Sequence, residues 1–187
     1  MPFTKPIVES YWVKPDQFLV GEYPGNLEFL KTRQRLSAFL EAGFTDFIDL
    51  TNLDELVPYE WMLMELARPF NLDAKYTRIS IPDRGVPSHE TMNGILDTID
   101  DALSKGRKVY LHCWGGVGRT GTVVGCYLVR HGMTSEQALH HITDWWMEVP
   151  KHIYHLNAPE TDEQVEFIRN WSDFPSPTEK GIKGEGE

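Results

Sequence analysis

The chain is predicted to fold as a single α/β domain, a mostly parallel central sheet flanked by helices. Three observations in its 187 residues carry that expectation. Short runs rich in aromatic and β-branched residues alternate with amphipathic segments up to His112, the order that gives parallel strands with helices on both faces. A glycine-rich stretch then joins the last of these runs to an apolar helix, at the place where open α/β sheets carry their ligands. Beyond it, every periodic segment is helical.

The strand-like runs are 18–20, 44–50, 74–81 and 108–112. Helical spacing covers 30–41, a short stretch around 61–67, and 88–105. The last of these sets Met92, Ile95, Leu96, Ile99 and Leu103 on one face, and Gly106 supplies the stop. Asp97, Asp100 and Asp101 fall on its solvated face. Residues 121–129 read as a buried helix. A second helix, 135–146, is opened by the capping box Thr134-x-x-Gln137, and Thr161-x-x-Gln164 opens the last. Residues 1–171 are thus expected to form one domain. Residues 172–187, with Pro, Gly and mixed charge, read as a flexible tail.

From His112 to Thr120 the chain reads His-Cys-Trp-Gly-Gly-Val-Gly-Arg-Thr, and these residue types make an anion trap. Glycines let successive N–H groups turn inward, while the following helix adds unpaired donors and its positive dipole end. The backbone of Trp114, Gly115, Gly116, Val117 and Gly118 is expected to cradle a phosphate, with the planar fork of Arg119 gripping two oxygens. Cys113 lies at the mouth of that positive field, where a thiolate is favoured over a thiol. Gly116 to Gly121 also satisfies G-x-G-x-x-G. A dinucleotide fold, however, needs a second parallel strand ending in an acidic residue about twenty positions on. This sequence has the helix 135–146 there instead, and it lacks the G-K-[ST] ending of a nucleoside-triphosphate loop.

His-Cys-x-x-Gly-x-x-Arg-Thr resembles the signature of the cysteine-dependent protein tyrosine phosphatase superfamily. Without a larger tyrosine-specific catalytic domain, the chain is most similar to its compact dual-specificity branch, from about Phe18 to Trp171. The resemblance implies a phosphomonoester hydrolase with a cysteinyl-phosphate intermediate. Cys113 would attack in line while backbone donors and Arg119 hold the equatorial oxygens. It also implies a general acid on a mobile loop. Asp83, in Pro82-Asp83-Arg84-Gly85, stands where such phosphatases carry theirs, although Pro-Asp-x-Gly is also an ordinary turn. Thr120 resembles the Ser/Thr whose hydroxyl hydrogen-bonds the cysteine sulfur, and His112 the histidine that orders the loop. Residues 160–164 resemble a late Gln-Thr-x-x-Gln loop that positions the hydrolytic water. Glu160 replaces its first glutamine, so a helix cap is the preferred reading of Gln164 and water positioning the other. No metal or cofactor is required by these steps.

No long insertion walls a deep slot, so a phosphorylated protein is the expected substrate, phosphotyrosine first and phosphoserine or phosphothreonine alongside it. Trp114, Gly115, Val117 and Gly118 are uncharged, whereas related phosphoinositide phosphatases often place lysines there. A small phosphate ester, a nucleotide or a phosphoinositide is the alternative. A catalytically silent phosphoprotein-binding module is a further one, although such a module usually loses the cysteine or the acid. A formal net charge of −10 argues against nucleic acid or an anionic membrane as partner. With no secretory segment and no apolar run of spanning length, a soluble cytoplasmic protein is expected, its oligomeric state not indicated. Cys126 is expected to be buried rather than bonded to Cys113, and two cysteines suit a reducing compartment. His140, His141, His152 and His155 have no H-E-x-x-H partner and are expected to be solvated, while Trp145 and Trp146 read as core.

Overall fold

The computed structural model describes residues 4–172, so the expected tail lies outside the described residues past Ser172. The first element is one that the sequence reading lacks. Lys14-Pro15-Asp16-Gln17 turns the chain back, with Asp16 at φ 58° and the Gln17 N–H donating to the Lys14 carbonyl at 3.1 Å. Proline presets the second position of such a turn, and aspartate tolerates the left-handed third. This pairs β1 (Ser10–Lys14) antiparallel with β2 (Phe18–Gly21).

The remaining elements follow the expected alternation. They are α1 (Phe29–Glu41), β3 (Phe44–Asp49), α2 (Glu60–Ala67), β4 (Lys75–Arg78), α3 (His89–Ser104) and β5 (Lys108–His112), then α4 (Gly118–Arg130), α5 (Ser135–Met147) and α6 (Asp162–Arg169). Single 3₁₀ turns lie at Arg68–Phe70 and Pro150–Ile153. Local chemistry sets several boundaries. Ser88 caps α3, Gly106 ends it at φ 72°, and both predicted capping boxes form. β4 is shorter than the run 74–81 suggests. Ile79 and Ile81 leave the ladder to follow the end of β3, donating to the carbonyls of Asp49 and Leu50 at 2.9 and 3.0 Å.

The sheet order is β1-β2-β5-β3-β4, and every pairing except β1–β2 is parallel. Side-chain alternation divides the core in two. Phe18, Val20, Val109 and Leu111 face α3, α4, α5 and α6, while Leu19 and Tyr110 face α1 and α2. Phe39 of α1 seats its ring 4.2 Å from that of Tyr110, and burying such a side chain contributes about 1.5–3 kcal/mol. β5 is therefore the central strand, and Gly21, Asp49 and His112 lie in register at one carboxyl edge. Among the described residues no helix is long and apolar enough to cross a membrane.

Candidate active site

The loop that leaves β5 is bounded by close backbone contacts. Gly116 has φ 77°, and a Cβ there would lie 2.5 Å from the Gly21 carbonyl carbon. No other residue type fits this crossing against the end of β2. The Tyr23 N–H then donates to the Trp114 carbonyl at 2.9 Å, fixing the outer limb. Because α4 begins at Gly118, its first N–H groups have no acceptor within the helix and are left at the end of the loop.

A cleft of about 310 Å³ opens over this loop, lined by Cys113, Trp114, Gly115, Val117, Gly118 and Arg119. Asp83, Arg84, Lys151, His155 and Glu160 complete its wall. Cys113 is nearly buried at 3 % exposure, whereas Trp114 stands out at 61 %. Gly116, His112, Thr120 and Gln164 do not line the cleft; all four are buried beneath or beside it.

Arg119 is held from two directions. Its terminal nitrogens donate to the two oxygens of Glu55 at 2.8 and 2.6 Å, a bidentate pairing. These hydrogen bonds hold the Glu55 carboxyl below its ordinary value against a partial burial that would raise it. On the other side, Asp83 Oδ1 stands 3.1 Å from Arg119 Nη2. A carboxyl group and the guanidinium of the anion trap thus share one cleft with a thiol at its base.

His112 is fully buried behind the loop. Burial pushes its pKa below the usual histidine value, more strongly than the Asp49 carboxylate and its own contact with the Cys113 carbonyl raise it. Its Nε2 lies 2.7 Å from the Tyr59 hydroxyl and its Nδ1 3.2 Å from the Cys113 carbonyl. Burial also raises the Tyr59 phenol, which stays protonated and donates. The neutral ring therefore carries its proton on Nδ1, directed at the Cys113 carbonyl. Asp49 is buried as well. Burial alone would raise its carboxyl, but His112, Tyr76 and Thr51 outweigh this and lower it. Tyr76 donates to Asp49 at 2.6 Å and Arg78 at 3.1 Å, so the carboxylate is saturated.

One expected contact is absent. The Thr120 hydroxyl has no hydrogen-bond partner, so the bond to the Cys113 sulfur implied by the resemblance is not formed in this structure. Thr120 lies buried in the first turn of α4 and is not among the residues that line the cleft. Gln164 does cap α6: its Oε1 accepts from Glu160 and Thr161 at 3.0 and 3.2 Å. Its Nε2 donates to the Gly85 carbonyl at 3.1 Å, a contact the sequence does not announce.

The residues that sequence reasoning missed come from distant segments. Glu55 sits in a loop 64 positions before Arg119, with no motif around it. Lys151 and His155 reach the cleft from the turn after α5, although the histidine-rich stretch was expected only to be solvated. Lys151 is paired with Glu22, which also holds Arg35 at 2.7 Å. Cys126 is buried and free, and Trp146 is core, as expected. Among the described residues no group of three or more His, Cys, Asp or Glu side chains is placed to hold a metal ion.

The family model described as Swiss Army Knife protein, DSP-PTPase phosphatase domain matches residues 9–181. An Arabidopsis thaliana phosphatidylinositol 3,4,5-trisphosphate 3-phosphatase and protein-tyrosine-phosphatase is 29 % identical over 136 residues, 72 % of this chain and 32 % of that protein. An uncharacterized protein of Methanocaldococcus jannaschii is 33 % identical over 119 residues, 64 % of this chain and 72 % of its own. The chain therefore spans about a third of the Arabidopsis relative's length. Among solved structures, a mutant form of Tk-PTP superimposes with a TM-score of 0.66 at 23 % identity, covering 86 % of this chain and 92 % of that one. The catalytic core of the Saccharomyces cerevisiae PP-IP phosphatase Siw14 gives 0.62 at 15 % identity, covering 92 % and 88 %. At these identities the structures speak to the fold alone.

Proposed function

The chain belongs to the DSP-PTPase family of cysteine-dependent phosphatases, and on that premise we propose that it hydrolyses aryl phosphate monoesters of the phosphotyrosine type. The observation that carries this reading is the meeting of Cys113, Arg119 and Asp83 in one cleft, with Asp83 3.1 Å from Arg119. The Cys113 thiolate attacks phosphorus, forming the S–P bond as the P–O bond to the leaving group breaks. Arg119 and the loop N–H groups hold the three equatorial oxygens, where charge spreads in the transition state. Asp83 gives its proton to the departing oxygen. Water then attacks the cysteinyl phosphate, returns a proton to Asp83, and releases inorganic phosphate and the thiolate. Thr120 has two accessible χ1 rotamers in a helix, and a turn about that bond would offer its unpartnered hydroxyl to the departing sulfur.

Charge balance supports a single-phosphate substrate. Arg119 is matched by Glu55, Arg84 by Glu160 and Lys151 by Glu22, so no strong surplus of positive charge waits for a second phosphate. The exposed Trp114 offers a flat apolar wall beside the nucleophile, suited to an aromatic leaving group. A reducing, cytoplasmic setting suits a reaction that depends on a free Cys113 thiol. A second reading, a phosphoinositide or other small phosphate ester, draws on Lys151 and His155 in the wall. The test compares kcat/KM for a phosphotyrosine peptide, a phosphoserine peptide and a phosphoinositide. Phosphotyrosine should lead, and Trp114→Ala should lower that value about two- to thirteenfold, as for an aromatic contact of about 0.5–1.5 kcal/mol. Preference for the phosphoinositide would favour the second reading. Tight phosphopeptide binding with no turnover by wild type would leave a binding module.

A further inference from the structure

The loop carrying Asp83 is fastened at three successive points to the start of α6. Arg84 Nη1 pairs with Glu160 Oε1 at 2.7 Å. The Arg84 carbonyl accepts from the Thr161 hydroxyl at 3.4 Å, and the Gly85 carbonyl accepts from Gln164 Nε2 at 3.1 Å. Gln164 is fully buried, and the other end of its amide is spent on the backbone of Glu160 and Thr161. One side chain thus caps the helix and grips the acid loop. The loop is itself a tight turn, the Gly85 N–H donating to the Pro82 carbonyl at 3.0 Å with Arg84 at φ 59°. A non-glycine residue keeps that left-handed conformation only where its surroundings hold it. Here the surroundings are Glu160, Thr161 and Gln164.

These contacts bear on the replacement of glutamine by glutamate at position 160. Glu160 does not stand free over the cleft to orient a water molecule; its carboxylate is committed to the neighbour of Asp83 in the chain. Both residues of the pair line the cleft that also holds Cys113. Asp83 is more than half exposed, and its carboxyl group contacts Arg119. Its position is therefore set by its loop rather than by packing of its own side chain.

We propose that Glu160 is a positioning residue for the general acid: through Arg84, and together with Thr161 and Gln164, it fixes the Asp83 loop closed over Cys113 before substrate arrives. This rests on the phosphatase reading and assigns position 160 to the first chemical step, protonation of the leaving group, instead of the second. A sodium ion atmosphere weakens an exposed pair, so the Arg84–Glu160 link alone is modest; the two further hydrogen bonds make the attachment cooperative.

The test uses Glu160→Gln, Arg84→Asn and the double variant. Asparagine tolerates the left-handed turn, and glutamine keeps the size of Glu160 while removing its charge. Both side chains are partly or largely exposed, and thermal unfolding checks that each variant stays folded. Two esters separate the steps. Para-nitrophenolate is the less basic leaving group and depends less on an acid, whereas phenolate from phenyl phosphate depends strongly on the proton. Each single variant should lower kcat/KM for phenyl phosphate about tenfold more than for para-nitrophenyl phosphate, part of the roughly 10²–10⁴ that proton transfer supplies. The double variant should be no worse than either single one, because both break the same link. Equal losses on the two esters, no loss on either, or additive losses would overturn the proposal. So would faster breakdown of the cysteinyl phosphate in Glu160→Gln, seen by rapid mixing, since that would make position 160 a water-positioning site. Wild type that turns over neither ester would bring down the phosphatase reading itself, an outcome distinct from all of these.

Discussion

Gly116 shows how little latitude the loop after β5 has at single positions. Its φ of 77° and the 2.5 Å approach to Gly21 combine a backbone restriction with a steric one. Gly116→Ala is expected to cost at least about 1–3 kcal/mol in stability and, by shifting the loop, about a hundredfold in kcat/KM. Gly115 is its internal control. A Cβ there meets only Val117 Cγ2, at 3.5 Å, so Gly115→Ala should keep both stability and most activity. Urea unfolding and para-nitrophenyl phosphate turnover on the pair check this. The same contrast explains what was legible in the sequence. Cys113, Gly116 and Arg119 stand within one contiguous loop whose shape is set by local chemistry, and Asp83 was reached by its place relative to that loop. Glu55 and the Arg84–Glu160 pair are joined across 64 and 76 positions, and no local pattern marks either end. The Thr120–Cys113 contact was expected from resemblance and is absent, because a motif fixes residue type but not a rotamer.

At the scale of elements, the helices after the loop do more than cover the sheet. α4 starts within the loop that carries Cys113, and α6 packs on α4 so closely that a Cβ on Gly125 would lie 2.4 Å from Ile168 Cδ1. That contact seats α6, whose first turn holds the Asp83 loop through Gln164. Gly125→Ala should therefore destabilise by about 1–3 kcal/mol as an overpacked core. Ile168→Ala removes the atoms it meets, and the double variant should lose less than the sum of the single ones. Strictly additive losses in urea unfolding would mean that the two residues do not share this contact. Element types and order were readable because hydrophobic period and capping boxes are local. β1 was not, since Ser10–Lys14 becomes a strand only by pairing with Phe18–Gly21 around the Pro15-Asp16 turn. β4 was overextended because Ile79 and Ile81 look like strand residues yet bond to the carboxyl end of β3.

For the molecule as a whole, the buried His112 and Asp49 make stability depend on pH in a defined direction. The folded pKa of His112 is lowered from 6.5, so below that value the unfolded chain binds a proton that the folded chain does not. Its contribution is complete above 6.5 and is lost as pH falls through the lowered folded value. Asp49 and Glu55 have folded values lowered from 3.8 and 4.5, so their contributions persist above those values and are lost in stronger acid. The urea midpoint of wild type should fall as pH goes from about 7.5 to about 5.5, and His112→Gln should flatten that slope while starting from a lower midpoint. An equally steep slope in the variant would place the dependence elsewhere.

The proposed mechanism makes the Cys113 sulfur the atom that forms the bond to phosphorus. The direct test mixes the protein rapidly with para-nitrophenyl phosphate, without added metal and with a chelator present, quenches by denaturation, and locates any bound phosphoryl group by peptide mass. The account predicts one phosphoryl group on the peptide bearing Cys113 during turnover, and neither adduct nor hydrolysis in Cys113→Ser. Hydrolysis that persists in Cys113→Ser, or a phosphoryl group on another residue, would contradict it.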